Sequence, residues 1–153
     1  INGLLYRSML QYSTESDSFV PDLVSCNIDN LLKIECVLDA NLSWSDGSSI
    51  TPEDIKATLN IISQTKVNPI IASLLENTII ETTKDSISFS NTSKDINFLH
   101  VFLQPIIPES VVNTLDTENI DGKFSEIGGI YSGRFVLKSI SQDETVGITK
   151  ITL

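Results

Sequence analysis

A tryptophan followed by a tight turn and a proline-capped helix start is the feature that most constrains this chain. Trp44 precedes the turn sequence Ser-Asp-Gly-Ser-Ser at 45–49. Thr51 then supplies an N-cap side chain, Pro52 suits the first helical position, and two acids occupy the first turn. The pattern predicts a helix start at this point, with a capping box between Thr51 and Asp54.

The residues after this start carry the spacing of a half-buried helix. Its apolar stripe consists of Ile55, Leu59 and Ile62. The spacing predicts a helix that ends near Gln64. An Asn-Pro pair at 68–69 then interrupts the chain, and we expect a short helix over residues 70–75.

Three pairs of β-prone segments predict hairpins. They are residues 23–28 with 31–38 around Asp29 and Asn30, residues 78–82 with 86–90, and residues 133–140 with 146–153 around the Gln-Asp-Glu sequence at 142–144. Hairpins that alternate with short helices predict an α+β fold with a mixed or antiparallel sheet and a few packed helices, in one domain.

Two further short helices are expected in the second half of the chain. The first covers residues 95–102, with Ile96, Leu99 and either Val101 or Phe102 pointing inward. The second covers residues 109–115, with Pro108 at its first position. Residues 116–129 are predicted to form an irregular surface loop, because acids, glycines and polar residues dominate there.

The two cysteines are predicted to be free thiols. A two-residue turn at 29–30 would pair Cys26 with Lys33 and Cys36 with Leu23, which puts the two thiols on opposite faces of the sheet. Two cysteines without CxxC spacing also fail to indicate a zinc or redox site.

Charge and hydropathy exclude two classes of partner. The chain has 10 Lys and Arg against 20 Asp and Glu, a formal net charge of -10. A field of this sign repels phosphate backbones and anionic lipids, so no nucleic-acid partner is expected. No apolar run of about 18 residues predicts a membrane span. Any targeting signal is expected to lie upstream or to have been removed, so the start of the sequence gives no localisation.

Residues with catalytic or metal-binding chemistry are few. His100 is the single histidine, and a half-buried helix position is expected for it rather than a metal site. Glu53 and Asp54 are adjacent and do not face each other on a helix, and no Ser or Cys lies in a nucleophile elbow. The sequence predicts no enzyme, no catalytic residue, no metal and no cofactor.

The glycines and acids late in the chain are expected to be structural rather than ligand-binding. They are Gly128, Gly129, Gly133, Asp116, Glu118 and Asp121. The glycines lack the lysine of a phosphate-binding loop, and the acids lack the twelve-residue pattern of a calcium loop. We expect a turn and a solvated loop. Trp44 is expected to pack rather than to contact ligand.

Four segments, taken in order, carry a family resemblance. They are Gly-Leu-Leu-Tyr at 3–6, Val-Pro-Asp-Leu at 20–23, the tryptophan-to-helix segment at 42–55, and Gly-Arg-Phe-Val-Leu-Lys-Ser-Ile at 133–140. They resemble the bacterial extracellular solute-binding proteins that include the oligopeptide, dipeptide and nickel binders of ABC importers. The chain departs from the family pattern at Asp39, where a basic residue is usual, and at Tyr131 and Arg134, which replace a glycine and a proline.

The resemblance implies a fragment of a periplasmic binding protein of type II. Family members have two large lobes that close over a ligand. Residues 1–125 would correspond to a small accessory domain, and residues 126–153 to strands of the first lobe. In the family the ligand is held mainly by segments before and after this stretch, so no family ligand residue is carried onto this sequence and the ligand-binding residues stay unassigned.

The resemblance also implies partners and a location. The partners would be a peptide or similar small solute and an ABC transporter permease, and the location periplasmic or extracellular at the cell surface, as in a lipoprotein. This chain alone is not expected to bind ligand tightly. The alternative is a surface scaffolding or adhesive module that has lost ligand binding.

Overall fold

A computed structural model describes residues 2–65, 68–115, 129–135, 139–143 and 148–152. In chain order the elements are α1 (Asn2–Leu5), β1 (Leu10–Ser13), β2 (Ser18–Pro21), β3 (Val24–Asn27), β4 (Lys33–Leu38), α2 (Pro52–Gln64), α3 (Pro69–Leu75), β5 (Thr78–Thr82), β6 (Ser86–Asn91), a 3-10 helix (Ile96–Leu103), α4 (Glu109–Val112), β7 (Ser139–Asp143) and β8 (Ile148–Thr152). None of the helices in these ranges has the length and apolar content needed to cross a membrane.

A four-stranded antiparallel sheet in the order β3-β4-β6-β5 organises the fold. Two further antiparallel pairs, β1-β2 and β7-β8, form separate sheets. Along β4, Ile34 and Cys36 are buried while Lys33 and Glu35 are exposed, so one face of the sheet meets the core and the other meets solvent. The predicted α+β class with antiparallel hairpins is confirmed.

Helix α2 covers the inner face of this sheet. It begins at Pro52 and ends at Gln64 as predicted, and Ile55, Leu59 and Ile62 are buried as its apolar stripe. Three phenylalanines from β6 and the 3-10 helix complete this part of the core. The ring centroid of Phe89 lies 5.9 Å from that of Phe98 and 4.9 Å from that of Phe102. Burial of such rings is a main source of core stability.

The helix expected over 95–102 is of the 3-10 type, and one of its inward residues was predicted wrongly. Leu99, Val101 and Phe102 are buried, but Ile96 is 64% exposed. Ile96 is the first helical residue. The Asp95 carboxylate accepts a hydrogen bond from the Asn97 amide at 2.9 Å, which holds the helix start at the surface. Likewise α4 is shorter than expected, and Pro108 is its N-cap rather than its first residue.

The prediction of free thiols was wrong, because Cys26 and Cys36 form a disulfide. They lie directly opposite each other in the β3-β4 pair. A five-residue loop, 28–32, replaces the expected two-residue turn and shifts the register by three positions. An odd shift reverses the face on which a side chain lies, so both sulfurs fall on the same side.

The remaining hairpins agree with the sequence in pairing and differ in detail. The β5-β6 hairpin has the predicted strands, with β6 extended by one residue to Asn91. In the last hairpin, Gln142 and Asp143 belong to β7 instead of a turn, since they pair with Thr149 and Ile148. The connection at 144–147 and the predicted loop at 116–128 lie outside the described residues.

Candidate functional site

A buried carboxylate connects the turn after Trp44 with helices α2 and α4. Asp54 is 6% exposed. Its Oδ2 accepts hydrogen bonds from the Trp44 indole at 3.2 Å and from the Thr51 amide at 2.8 Å, and its Oδ1 accepts from the Glu109 amide at 2.7 Å. The predicted capping box is present. Since Asp54 is fully engaged in these contacts, its role in this arrangement is structural.

Thr58, one turn further along α2, fixes the extended segment before α4. Its hydroxyl donates to the Asp54 carbonyl at 2.8 Å and accepts from the Ile107 amide at 3.1 Å. The neighbouring Ile106 amide donates to the Arg7 carbonyl at 2.9 Å. The N-terminal segment is therefore held against the same framework as helix α2.

The turn at 45–49 also holds a distant part of the chain. Gly47 has a φ of +88°, which suits a residue without a side chain. The Ser48 hydroxyl and then the Ser48 amide hydrogen-bond to the Asp46 carboxylate and lower its pKa below the usual value. Ser45 exchanges two hydrogen bonds with Tyr131, at 2.7 and 2.9 Å. The turn therefore has a structural role, because it binds the segment around Tyr131. Trp44 is 3% exposed and packs in the core.

Residues 4–7 and 132–135 lie side by side and form the walls of a groove. The Leu5 carbonyl accepts from the Gly133 amide at 2.7 Å, and the Ser132 hydroxyl accepts from the Arg7 amide at 2.9 Å. A Cβ at Gly133 would lie only 2.2 Å from the Leu4 carbonyl oxygen. The close approach of the two segments therefore requires glycine at this position.

We call this cavity the N-terminal groove. It has a volume of about 700 Å³, and its lining includes Leu4, Tyr6, Arg7, Ser132, Arg134 and Phe135. This volume lies within the range of about 300–1,000 Å³ that is typical of small-molecule sites. Polar and apolar side chains both line the groove, so it has the composition of a site for a small amphipathic molecule.

The Arg7 guanidinium is held in place at the groove by Asp22. Its Nε donates to Asp22 Oδ1 at 2.7 Å, and one terminal nitrogen donates to the Asp22 carbonyl at 2.6 Å. The second carboxylate oxygen of Asp22 accepts from the Ser8 amide at 3.1 Å. A buried carboxylate with this many donors fixes the orientation of the arginine.

Tyr6 lines the groove and stays neutral at physiological pH. Burial, and secondarily the neighbouring Tyr131, raises the pKa of Tyr6 to about 12. The two ring centroids are 5.6 Å apart. Tyr6 therefore offers an aromatic surface and no negative charge to a ligand.

The side chains considered for chemistry at the sequence level do not form a site. His100 is exposed rather than half-buried, and its ring packs edge-on against Phe19 with centroids 6.2 Å apart. Glu53 is exposed, whereas Asp54 is buried. Within the described ranges, no group of three His, Cys, Asp or Glu side chains can hold a metal ion.

The late glycines and acids have different outcomes. Gly129 has a φ of +111°, which suits a turn, and Gly133 serves the close approach at the groove. Gly128 and the three acids Asp116, Glu118 and Asp121 lie outside the described residues.

The groove itself was not found from the sequence. Asp22 and Arg134 both lie in segments that carry the family resemblance, but no local pattern brings them together. Their proximity depends on backbone contacts between segments about 125 residues apart. The one residue that could have indicated the groove from the sequence is Gly133, since a glycine permits close approach of two backbone segments.

Comparison with known families decides what kind of protein this is. The family described as bacterial extracellular solute-binding proteins, family 5 Middle, matches residues 18–151. The chain belongs to this family. It is a family of solute-binding transport proteins and not of enzymes. No sequence among the curated proteins matches the chain.

Solved structures of periplasmic and oligopeptide-binding proteins share the fold. The oligopeptide-binding protein AppA from Bacillus subtilis, in complex with a nonapeptide, matches with a TM-score of 0.78 and 20% identity over 92% of this chain and 29% of its own. The periplasmic oligopeptide-binding protein from Thermotoga maritima, bound to mannohexaose, matches with a TM-score of 0.75 and 21% identity, over 95% of this chain and 29% of its own.

A nickel binder gives the same result. NikZ from Campylobacter jejuni, in complex with Ni(L-His), matches with a TM-score of 0.72 and 18% identity, over 88% of this chain and 27% of its own. The family 5 chain described here therefore spans less than a third of the length of these structures. At such identities the likeness establishes the fold.

Proposed function

We propose that this family 5 chain is a domain of an extracytoplasmic protein that captures a peptide or a similar small solute and delivers it to an ABC transporter permease. The family match over residues 18–151 is the observation that carries this proposal. The fold likeness to oligopeptide and nickel binders supports it. Ligand capture in such proteins is non-covalent, and the absence of catalysis is part of the proposal.

The disulfide between Cys26 and Cys36 supports a location outside the cytoplasm. Disulfides persist in the periplasm and on cell surfaces, whereas cytoplasmic thiols are kept reduced. We infer attachment to the cell surface, as in a lipoprotein, from the need to hold a capture protein near its permease.

A division of the chain forms part of the same proposal. Residues 1–125 are assigned to the accessory domain and residues 126–153 to strands of the first lobe. The separate β7-β8 sheet supports the division. The backbone contacts of residues 4–5 with residues 132–135 mean that the two parts share hydrogen bonds rather than meeting at a loose linker.

In this mechanism the chain supports one of two lobes that close over the ligand. In a two-lobed binder, ligand is enclosed when the lobes close, so affinity depends on surfaces from both lobes. The hydrogen bonds of Asp54 and Thr58 and the aromatic core join helix α2, helix α4 and the segment at 106–107 into one framework. We propose that it positions the first lobe while solute is held mainly by other segments.

The test is calorimetric titration of the complete gene product against three probes at low salt. The probes are a mixture of short peptides, Ni(II) with L-histidine, and a mannose oligosaccharide. We expect saturable binding of one probe with a Kd on the order of 1 μM or lower. The 153-residue chain serves as the control, and we expect it to bind the same probe at least about 100-fold more weakly.

Two results would contradict the proposal. One is the absence of saturable binding to every probe, which would favour the scaffolding alternative. The other is equal affinity of the complete protein and the 153-residue chain, which would show that lobe closure contributes nothing. The family membership itself favours solute capture over scaffolding.

A further inference from the structure

The N-terminal groove is positively charged in a strongly acidic protein. Its charged lining residues are Arg7, Arg134 and Asp22. Two guanidinium groups and one carboxylate leave a formal charge of +1, while the chain as a whole carries -10. A local reversal of sign in a concave site attracts one anionic group.

Arg7 brings free donors to this groove in a fixed orientation. An arginine has five N–H donors, and Asp22 accepts from two of them. The other three have no partner among the residues that the structure describes. Because Asp22 already holds the guanidinium, little side-chain entropy is lost when a ligand binds to it.

Arg134 supplies the unbalanced charge. It is exposed, and within the described part of the chain it forms no ion pair. It lines the same groove as Arg7. A guanidinium recognises a carboxylate through two parallel N–H donors, so a carboxylate matches both the charge and the donor geometry.

Apolar surface lies next to this charge. Leu4 and Phe135, both groove residues, are 45% and 43% exposed, and the buried ring of Tyr6 lies beside them in the lining. A free carboxylate alone would leave this surface and most of the volume of about 700 Å³ unfilled. The groove therefore suits an anion that carries an apolar or aromatic side chain.

We propose that the N-terminal groove binds the carboxylate of an amphipathic monoanion, namely a C-terminal apolar residue of a peptide or an N-acylated apolar amino acid. The apolar lining favours this ligand over inorganic phosphate, which has no apolar group to place against Leu4 and Phe135. The lining residues named here all belong to this chain, so the site can be tested on it separately from the transport function.

The experiment is a titration of the ¹⁵N-labelled 153-residue chain followed by NMR. The probes are N-acetyl-phenylalanine, its C-terminal amide, N-acetyl-Gly-Gly-Phe and inorganic phosphate, each up to about 20 mM because a single subsite binds weakly. We expect saturable shifts of the amides of residues 132–135 with both carboxylates. The amide and phosphate are each expected to bind at least about 10-fold more weakly, because the amide lacks the charge of the carboxylate and phosphate lacks an apolar group.

The two carboxylate probes distinguish the sources. Tighter binding of the tripeptide identifies a peptide terminus as the ligand, and equal or tighter binding of the single residue identifies an acylated amino acid. Either result supports the site. Equal affinity for the acid and its amide, preferred binding of phosphate, or no saturable shift would overturn it.

A pair of variants separates site binding from general charge effects. Arg134→Ala removes an exposed charge at the groove, and Lys84→Ala removes another exposed charge, in the β5-β6 turn. We expect the first to weaken carboxylate binding at least about 10-fold and the second to change it less than about 2-fold. Both chains should keep the remaining amide spectrum. Equal weakening by the two variants would contradict the proposal.

Discussion

The backbone amide of Glu109 donates a hydrogen bond to the carboxylate of Asp54 at 2.7 Å, across 55 residues of sequence. The same carboxylate accepts from the Trp44 indole and the Thr51 amide. Asp54 is thus the point at which the turn, helix α2 and helix α4 meet. This junction accounts for the tryptophan, threonine and aspartate of the segment at 42–55, since each supplies one of its parts.

Removal of this carboxylate should destabilise the protein strongly. Asp54→Ala leaves the buried Trp44 indole and the part-buried Glu109 amide without an acceptor, so we expect the free energy of unfolding to fall by about 2–4 kcal/mol. Glu53→Ala is the matched control, because Glu53 is the adjacent but exposed acid, and should change stability by less than about 0.5 kcal/mol. Urea unfolding followed by tryptophan fluorescence measures both. Similar effects of the two variants would refute the role of Asp54 as a junction.

The disulfide should contribute measurably to stability. Cys26 and Cys36 are separated by 10 residues, and closing a loop of this length lowers the entropy of the unfolded chain by an amount worth about 2.5–3 kcal/mol. The double variant Cys26→Ala with Cys36→Ala should lose about that much, as should the native protein in reductant. Chemical unfolding with and without reductant gives both values.

The reductant control for this prediction uses the double-alanine variant. Its stability should be the same in oxidising and reducing buffer. In the native protein, mass spectrometry should detect no alkylated cysteine before reduction and two alkylated cysteines after reduction. Alkylation of either thiol in the untreated native protein would show that the bridge is absent.

A side chain at Gly133 should disrupt the contact between the N-terminal segment and residues 132–135. A Cβ there would lie 2.2 Å from the Leu4 carbonyl oxygen and 2.7 Å from the Leu5 carbonyl carbon, and backbone atoms have little room to move. We expect Gly133→Ala to lower the free energy of unfolding by about 2–4 kcal/mol.

Gly129→Ala is the contrasting variant. A Cβ at Gly129 meets nothing within 4 Å, but its φ of +111° remains unfavourable for alanine. We expect a loss of about 1–2 kcal/mol from backbone conformation alone. Thermal unfolding of both variants compares them, and a cost at Gly133 no greater than that at Gly129 would contradict the steric argument.

Local signals in the sequence predicted local structure well. The cap at Thr51 and the stripe on α2 were predicted correctly because every residue involved lies within one helix and its entry. The register of the β3-β4 hairpin was not, because it depends on loop length. Side chains of Asn27 and Asn30 accept from the Asp29 and Leu32 amides at 3.1 Å and widen the loop.

The groove was beyond the reach of the same reasoning. Its walls come from residues near the two ends of the chain, joined by contacts such as that of the Arg7 amide with the Ser132 hydroxyl. Neither segment carries a periodic pattern that specifies the other. Asp22 could be recognised as part of a family-like segment, but its partner Arg7 could be identified only from the fold.

The raised pKa of Tyr6 predicts a loss of stability at alkaline pH. Its pKa is about 12 in the folded protein against an ordinary value of 10.0, so between these values the unfolded chain gives up a proton that the folded protein keeps. The stability that neutral Tyr6 contributes is fully present below pH 10. As the pH rises toward 12 this stability is lost, and the free energy of unfolding falls by at most about 3 kcal/mol. We expect the native protein to lose stability faster than Tyr6→Phe over this window, with parallel curves from about pH 7 to 9 where neither state ionises. Urea unfolding at fixed pH values measures the difference, and parallel curves through pH 12 would show that Tyr6 titrates normally in the fold.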